Sequence, residues 1–232
     1  MAHDEIERYD LGLLRDAVSY QRWVVDSFGS VLRGRVIDVG AGIGNYTRWI
    51  ARRVPEVVAL EPDPAMCAAI ADLGLDNVEV IQRPLEQYTI FANAQFDTAM
   101  LIDVLPLWAD DMAAIRATGR MLQIGGHVCV LVPAHPQLSG ALDARYGHHR
   151  RYTKDRMVRL FQGAGFVMEE LRYFNLLGAL TWLVASRLMR RPHLDPAVVR
   201  ISESVTVPAS RLVERYARVP FGQSLLAIGR MR

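Results

Sequence analysis

A short apolar run that is followed by three glycines at every second position constrains the fold of this chain more than any other feature. Arg35–Val39 is rich in β-branched residues, which is typical of a strand, and glycines follow at positions 40, 42 and 44. Glycine at a strand-to-helix turn permits positive φ and lets a ligand lie against bare backbone. The chain is therefore expected to bind a ligand at the end of this first strand.

Strand-like and helix-like segments alternate along much of the remaining chain. Apolar runs predict further strands at 57–60, 78–81, 96–104, 127–132, 166–173 and 224–229. Helices are predicted between them at 46–53, 63–73, 109–122 and 153–161, with Asp63 and Thr153 as N-caps. This alternation predicts an α/β fold in which a doubly wound, mostly parallel sheet carries helices on both faces.

Composition argues against several classes of protein. The formal net charge of +2 is too small to predict nucleic-acid binding, and the acidic start of the chain does not resemble a secretory signal. The two cysteines, Cys67 and Cys129, lie far apart in apolar stretches, so neither a disulfide nor any metal site is predicted. The longest apolar run, 176–185, is about half as long as a membrane span. We therefore expect a soluble, cytoplasmic protein.

Two acidic residues at strand ends narrow the choice of ligand. Asp38, just before the glycines, would sit badly beside a phosphate but suits a cationic amino group or the loop amides. Glu61 ends the next strand, where a carboxylate can accept hydrogen bonds from both ribose hydroxyls of a nucleoside. A nicotinamide dinucleotide is disfavoured because Asn45 stands where the dinucleotide motif has its third glycine. A nucleoside that carries an amino acid fits both acids, and that ligand is S-adenosylmethionine.

These segments together resemble the class I S-adenosylmethionine-dependent methyltransferases of the small-molecule type. The resemblance covers 36–44, Glu61, 81–86, 96–105 and the glycine pair 125–126, in the family's order. It implies a Rossmann-like sheet with an antiparallel last strand, and S-adenosylmethionine as the cofactor. The residues that it assigns to the cofactor are Tyr20, Asp38, Gly40, Ala41, Gly42, Gly44, Glu61, Pro62, Pro84, Leu85 and Asp103.

The sequence departs from the family pattern at two positions. Pro84 stands where relatives often carry an Asp for the adenine amino group, so that Leu85 would offer only backbone and an apolar wall. The fourth strand continues into Leu105–Trp108 instead of Leu-Glu-His, which removes a histidine base from that position. The Asn/Asp-Pro-Pro-aromatic motif of amide-type N-methyltransferases is absent from the sequence as well, which argues against nucleic-acid bases and glutamine as acceptors.

The length of the chain predicts one elaborated domain over 1–232, with an N-terminal helical element at 1–30. This element resembles the family's lid over the cofactor, although its aromatic residues Tyr20 and Trp23 would suit the core as well. Two segments that do not fit the alternation, 133–152 and 175–221, are expected to be insertions on the acceptor side. Residues 176–191 of the second have an apolar body and a basic end, which fits a pocket wall, a dimer interface or a membrane surface.

Three histidines are candidate general bases for the acceptor. His135 follows the fifth strand directly, with a loop histidine that caps backbone groups as the alternative. His148 and His149 belong to the polar block 147–153, which is similar to a Gly-His-x-Arg-Arg-Tyr-Thr block in a bacterial methyltransferase subgroup. The alternative for this block is a structural one, in which it ties its loop to the core.

Two further groups of charged side chains carry alternative interpretations. Arg150 or Arg151 could hold an acidic substrate, because a guanidinium pairs bidentately with carboxylate or phosphate, or could serve the structural role of the block. Asp103 could contact the amino group of the cofactor, act as a base, or do neither.

The predicted function is methyl transfer from S-adenosylmethionine to a small-molecule acceptor, with oxygen weakly favoured as the accepting atom. The alternatives are a lipid-linked or saccharide acceptor, and a binding protein that keeps the ligand without transferase activity. No nucleic-acid partner is expected, while a membrane surface and a homodimer stay open as partners. The acceptor itself is not identified by the sequence, because the least patterned segments are expected to build its pocket.

Overall fold

A seven-stranded sheet forms the centre of the molecule in the computed structural model, which describes residues 11–179 and 196–232. The strand order is β3-β2-β1-β4-β5-β7-β6. The strands are β1 Arg35–Val39, β2 Glu56–Leu60, β3 Val78–Ile81, β4 Phe96–Ile102, β5 Leu122–Pro133, β6 Phe166–Phe174 and β7 Ser224–Met231. Each predicted strand is present, and the largest difference is β5, which begins at Leu122 because it continues across the glycine pair.

The pairing of these strands confirms the predicted fold class. β1 pairs in parallel with β2 on one side and with β4 on the other, and β4 pairs in parallel with β5. The last strand, β7, runs antiparallel between β5 and β6. The sheet is thus doubly wound and mostly parallel, with an antiparallel last strand, in a Rossmann-like α/β fold.

Helices lie between the strands, as the alternation predicts. Among the described residues the α-helices are α1 Val18–Ser27, α2 Thr47–Ile50, α3 Pro64–Ala71, α4 Leu85–Tyr88, α5 Asp111–Met121, α6 Ala141–Arg145, α7 Lys154–Gly163, α8 Pro196–Ile201 and α9 Val207–Tyr216. Both predicted N-caps are confirmed: Asp63 accepts from the amides of Ala65 and Met66, and Thr153 accepts from the amide of Arg156. The N-terminal helical element predicted at 1–30 is interrupted within the described residues, because residues 11–14 are helical and α1 begins only at Val18.

Apolar side chains alternate across the sheet into two cores. From β1, Ile37 and Val39 join the core on one face, whereas Val36 joins the core on the other. In β5, Val130 and Cys129 separate in the same way. Because helices cover both faces of the sheet, both sets of side chains on a strand are buried. The strand segments of the sequence are therefore continuously hydrophobic. Cys67 and Cys129 are both buried free cysteines.

The two ends of the predicted insertion 133–152 are hydrogen-bonded to each other at the end of β5. The amide of Tyr152 donates to the Pro133 carbonyl at 2.9 Å, and the amide of His135 donates to the Tyr152 carbonyl at 3.1 Å. The segment between them is therefore a closed loop beside the carboxyl end of β5. In the part of the chain that the structure describes, no helix is long and apolar enough to cross a membrane.

Candidate functional site

A cavity of about 810 Å³ opens at the carboxyl edge of the parallel strands. Its walls come from the loops after β1, β2, β3 and β4, together with parts of both predicted insertions and of the N-terminal helical element. In open α/β sheets, ligands bind at this edge, where the strand order reverses between β1 and β4. The cavity therefore lies where a cofactor of this fold is expected.

The glycine loop forms one wall through its backbone. Gly40, Ala41 and Gly42 line the cavity, and the two glycines have positive φ values of 69° and 57°. A Cβ on Gly40 would lie 2.3 Å from Cγ2 of Val104, so no larger residue fits there. Gly44 also has a positive φ, but it packs against Leu73 instead of lining the cavity.

Glu61 braces the loops after β1 and β2 against each other. Its Oε2 accepts from the amide of Gly42 at 2.9 Å, and its Oε1 accepts from the amide of Asp63 at 3.0 Å. The side chain is buried and lines the cavity. Glu61 therefore brings a carboxylate, a group with about four acceptor positions, to the cavity wall.

Asp38 does not line the cavity, which differs from the prediction that it meets the amino group of the ligand. The carboxylate is buried and accepts from the Thr47 hydroxyl at 2.7 Å, so it holds the start of α2 instead. Burial raises the pKa of Asp38 to about 6, against the opposing effect of the Thr47 hydrogen bond. Its geometry is that of a structural support behind the glycine loop.

Asn45 is a cavity residue that the sequence singled out only as a departure from the dinucleotide motif. Its Nδ2 donates to the carbonyl of Leu11 at 3.0 Å, and its buried Oδ1 has no hydrogen-bond partner within the described ranges. A buried acceptor without a partner costs free energy unless a ligand supplies a donor. The cavity wall therefore offers an acceptor next to the glycine loop.

The predicted adenine contacts lie on the opposite wall. Pro84 has an extended backbone conformation and precedes α4, so that Leu85 is buried at the start of that helix. Pro62 lines the same cavity, and none of these three side chains carries a polar group. The indole of Trp108 donates to Glu86 at 2.8 Å, which ties the loop after β4 to this wall.

Asp103 follows β4 and lines the cavity with a strained backbone. Its φ is 55°, a value that non-glycine residues rarely adopt, and its amide donates to the carbonyl of Leu131 at 2.8 Å. Burial raises the pKa of Asp103 to about 6, while the charges of His148 and Arg151 oppose that rise. The carboxylate thus lies near the polar block and can change charge close to neutral pH.

The two aromatic residues of α1 separate in the structure. Tyr20 lines the cavity, and burial raises the pKa of its hydroxyl well above the usual value. Trp23 packs in the core instead, with its ring centroid 4.0 Å from that of Phe174. Of the two aromatic residues, Tyr20 is therefore the one in a position to cover a ligand.

The three candidate histidines occupy different environments, and His148 alone among them lines the cavity. His135 stacks on Tyr173 and on Phe221, with ring centroids at 4.8 and 4.0 Å, and burial lowers its pKa. His149 is exposed, and its amide donates to the Pro106 carbonyl at 2.9 Å. Neither of these two residues lines the cavity.

His148 is held by a buried carboxylate. Its Nδ1 lies 3.3 Å from Oδ1 of Asp143, and Arg151 contacts the same oxygen through Nε at 2.8 Å. The amide of Gly140 donates to the other oxygen of Asp143 at 2.9 Å. Despite burial, the bonds from His148 and Arg151 hold the pKa of Asp143 below its usual value. An ionised Asp143 can fix the imidazole as the tautomer that has its proton on Nδ1.

Both arginines of the polar block contact protein groups. Arg151 also donates to the carbonyl of Ala134 at 3.2 Å. Arg150 lies 3.1 Å from Asp111 and donates to the carbonyls of Trp108 and Ala109. This geometry is that of the structural alternative, in which the block ties its loop to the core.

Glu203 is a cavity residue that the sequence analysis missed. It lies in a π-helical turn, Ser202–Thr206, between α8 and α9, and its carboxylate accepts from the amides of Ser19 and Tyr20 at 2.7 and 3.0 Å. These amides belong to the first turn of α1, where Ala17 provides no side-chain cap. In the sequence, the only signal for this contact is the helix start without a side-chain cap. That signal does not identify the distant residue that accepts from the free amides.

Comparison with known proteins shows similarity to methyltransferases. Residues 37–130 match the model of a family described as a methyltransferase domain. The chain is 24% identical over 196 residues to "Ribosomal RNA small subunit methyltransferase A" of Geobacillus thermodenitrificans, covering 82% of this chain and 61% of that protein. It is 22% identical over 180 residues to "Ubiquinone biosynthesis O-methyltransferase" of Acinetobacter baumannii, covering 69% of this chain and 76% of that protein.

A solved structure supports the fold independently of sequence. Geranyl diphosphate methyltransferase, determined in complex with S-adenosylmethionine, superposes with a TM-score of 0.65 at 13% identity. The superposition covers 93% of this chain and 85% of that one. At this level of identity the likeness concerns the fold, so the acceptor must be argued from the site.

Proposed function

We propose that this chain, in which residues 37–130 match a methyltransferase domain, transfers a methyl group from S-adenosylmethionine to a hydroxyl group of a small-molecule acceptor. One observation carries this proposal: His148 lines the cavity with its Nδ1 held by the buried Asp143. An imidazole oriented in this way has Nε2 available as a general base, as the Asp-His pair of hydrolases does.

The cavity wall fits the cofactor. The backbone of Gly40 and Gly42 on the cavity wall and the buried Oδ1 of Asn45, which has no hydrogen-bond partner among the described residues, both suit a ligand that lies against backbone. We assign Glu61 to the ribose hydroxyls, Pro84 and Leu85 to the adenine, and Asp103 to the amino group. S-adenosylmethionine supplies a methyl group activated by its sulfonium when it is bound.

The chain's own residues then have two tasks in the reaction. The walls align the acceptor oxygen with the methyl group, which is the main requirement of an in-line displacement. Nε2 of His148 accepts the hydroxyl proton as the new carbon–oxygen bond forms and the carbon–sulfur bond breaks. Asp143 stabilises the imidazolium that results, because the carboxylate is ionised and 3.3 Å from Nδ1.

The lining of the cavity favours a small acceptor over a nucleic acid. The loops of the sheet edge line the cavity together with residues of α8 and of the π-helical turn, namely Val198, Val199, Ser202 and Glu203. A net charge of +2 provides no strong attraction for a polyanion. The relatives include a ribosomal RNA methyltransferase as well as an O-methyltransferase, so the experiment compares both acceptor classes.

The proposal is tested by formation of S-adenosylhomocysteine with a panel of soluble catechols and phenols, and in parallel with transcribed small-subunit ribosomal RNA. Turnover on a phenolic probe is expected to fall by about 100-fold or more in His148→Asn, the usual range for loss of a general base. Binding of S-adenosylmethionine should stay within about twofold, since the change removes a proton acceptor and no cofactor contact.

His149→Asn is the matched control, because it changes the neighbouring, exposed histidine of the same block. It should leave both turnover and binding unchanged. Turnover on RNA alone would contradict the small-molecule acceptor, and full activity of His148→Asn would contradict the assigned base.

A further inference from the structure

We propose that the outer face of the helical segment Pro196–Tyr216 docks on an anionic bilayer surface. The segment comprises α8, the π-helical turn and α9, and it runs without a break. Four of its five exposed large apolar side chains are between 58% and 77% exposed, namely Ile201, Val205, Leu212 and Tyr216, and the fifth, Val213, is 43% exposed. The four most exposed ones form the apolar stripe. Spacings of four, seven and four residues place them along one side of a helix, as an interfacial helix requires.

The charges of this segment separate between its two faces. Its acids point toward the protein: Glu203 caps α1, and Glu214 accepts from the amide of Leu176 at 2.9 Å and pairs with Arg172. Its arginines are exposed, and the face away from the protein is therefore apolar and basic. The exposed arginines of the segment are Arg200, Arg211 and Arg215, and Arg218, just beyond its end, is exposed as well.

The two arginines of α9 form one flank of the apolar stripe. At about 100° per residue, Arg211 and Arg215 fall within about 40° of each other, beside Leu212 and Tyr216, and exposed Arg218 follows the end of the helix. Arg211 pairs with Asp26 at 2.9 Å, and the Arg215 guanidinium lies 5.7 Å from the Tyr216 ring centroid. Apolar insertion beside clustered arginines is the pattern that recognises anionic lipid headgroups.

A second copy of the chain fits this surface less well. Two copies packed antiparallel along the stripe would set their arginine flanks against each other, because equivalent flanking positions meet in such a pair. A bilayer that contains anionic lipid instead attracts every arginine on the flank. Charge complementarity therefore selects the lipid surface as the occupant.

The proposed surface lies directly behind the cavity. Val198, Val199 and Ser202 line the cavity from the inner side of the same segment. Docking would put this wall within about one helix diameter, on the order of 10 Å, of the lipid headgroups. The docking itself does not depend on the identity of the acceptor or of the base.

The test is co-sedimentation of the full chain with vesicles of phosphatidylcholine alone, and of phosphatidylcholine with phosphatidylglycerol at about 70:30. We expect partitioning to be at least about tenfold stronger on the anionic vesicles and to weaken between about 0.1 and 0.5 M salt. Leu212→Glu should abolish it by placing a charge in the stripe. The double change Arg215→Gln with Arg218→Gln should lower it by about tenfold or more and flatten the salt dependence.

Ile124→Glu is the matched control, since Ile124 is an isolated apolar side chain that is 88% exposed at the start of β5. It should leave vesicle binding unchanged. Equal binding of Leu212→Glu and the wild type, or no binding to anionic vesicles, would overturn the proposal. Sedimentation equilibrium adds a second criterion: a dimer that Leu212→Glu dissociates, without vesicle binding, would assign the surface to a second copy. Thermal melts confirm that each variant is folded.

Discussion

The two halves of the cavity are built by different means. The half at the glycine loop is formed by backbone groups that are close in sequence, with Gly40, Gly42 and Glu61 brought together by the parallel pairing of β1 and β2. The other half is held by side chains from distant segments. Asp143 pairs with Arg151 beside β5, and Glu203 reaches α1 across most of the chain.

This difference separates what local geometry determines from what tertiary contacts determine. A glycine that a turn at a strand end requires can be recognised from its neighbours in the sequence alone. The role of a charged side chain, in contrast, can be inferred only when its ion-pair partner is known. We therefore expect substitutions in the second half to act first on folding and positioning, and those in the first half to act on the cofactor.

The largest expected effect is on the second half, in Asp143→Ala. The change leaves Arg151 buried without its carboxylate, and removal of one partner of a buried ion pair typically costs about 3–5 kcal/mol. Urea unfolding should report this loss in the free energy of unfolding. The double change Asp143→Ala with Arg151→Met should recover most of it, because no buried charge is left. If the free energy of unfolding of Asp143→Ala is within about 1 kcal/mol of that of the wild type, this ion pair does not stabilise the second half of the cavity.

The glycine loop should respond next, with a difference between two glycines. Gly40→Ala combines a left-handed backbone with a Cβ 2.3 Å from Val104, and is expected to cost about 3 kcal/mol. Gly42→Ala is the matched variant, because its Cβ would lie at an ordinary 3.5 Å from Leu11, leaving only the backbone strain of about 1–2 kcal/mol. Equal losses in thermal or urea unfolding would mean that the contact with Val104 relaxes.

Loss of the Glu61 carboxylate should act on the cofactor. Glu61→Ala is expected to weaken S-adenosylmethionine binding by about 1.5–3 kcal/mol, the range for hydrogen bonds to a charged group, as calorimetry would measure. Glu61→Gln keeps two acceptor positions, so its affinity for S-adenosylmethionine should lie between those of Glu61→Ala and the wild type. Because Glu61 also accepts from the amides of Gly42 and Asp63, unfolding without cofactor measures its structural share. Undiminished affinity in Glu61→Ala would remove the assignment to the ribose.

The smallest effect concerns pH. Asp103 has a pKa raised to about 6, so its carboxylate is ionised above that pH and neutral below it. If it meets the cationic amino group, affinity for S-adenosylmethionine falls as pH drops below about 6, by at most tenfold or 1.4 kcal/mol per unit. Asp103→Asn should flatten this profile. Asp38→Asn should leave it intact, since Asp38 has a similarly raised pKa but lies off the cavity lining.

Folding of the cofactor-free protein should depend on pH in the opposite sense. A raised pKa means that the folded state favours the protonated carboxyl, so the contribution of Asp103 to stability is complete below about 4 and is lost as pH rises through about 6. Asp103→Asn should therefore be the more stable protein at neutral pH when the cofactor is absent. A less stable variant at that pH would mean that the carboxylate has a favourable partner in the folded chain.

The fold and the first half of the cavity were predictable because their signals are local. Hydrophobic period, glycine placement and the caps at Asp63 and Thr153 each depend on a few neighbouring residues, and each is present as predicted. Asp38 shows the limit of such reasoning. Its position at a strand end was recognised, but the Thr47 hydroxyl that turns it away from the cavity belongs to the next helix.

The histidines of the second half show the same limit more clearly. The sequence offers His135, His148 and His149 as equivalent bases near one sheet edge. Only the packing distinguishes them, because the first stacks on the rings of Tyr173 and Phe221 away from the cavity lining, and a buried Asp143 holds the second. The predicted segment 176–191 was equally open to several interpretations, and its residues 180–191 lie outside the described residues.

The carboxylate of Glu203 joins two walls of the cavity that lie far apart in the sequence. It completes the first turn of α1 from 183 residues away, so the wall that carries Tyr20 and the wall that carries Ser202 are held together. Whatever orders one side reduces the conformational entropy that the other must still lose on binding. By thermodynamic linkage, an acceptor that tightens cofactor binding by some factor is itself bound more tightly by that same factor once the cofactor is present.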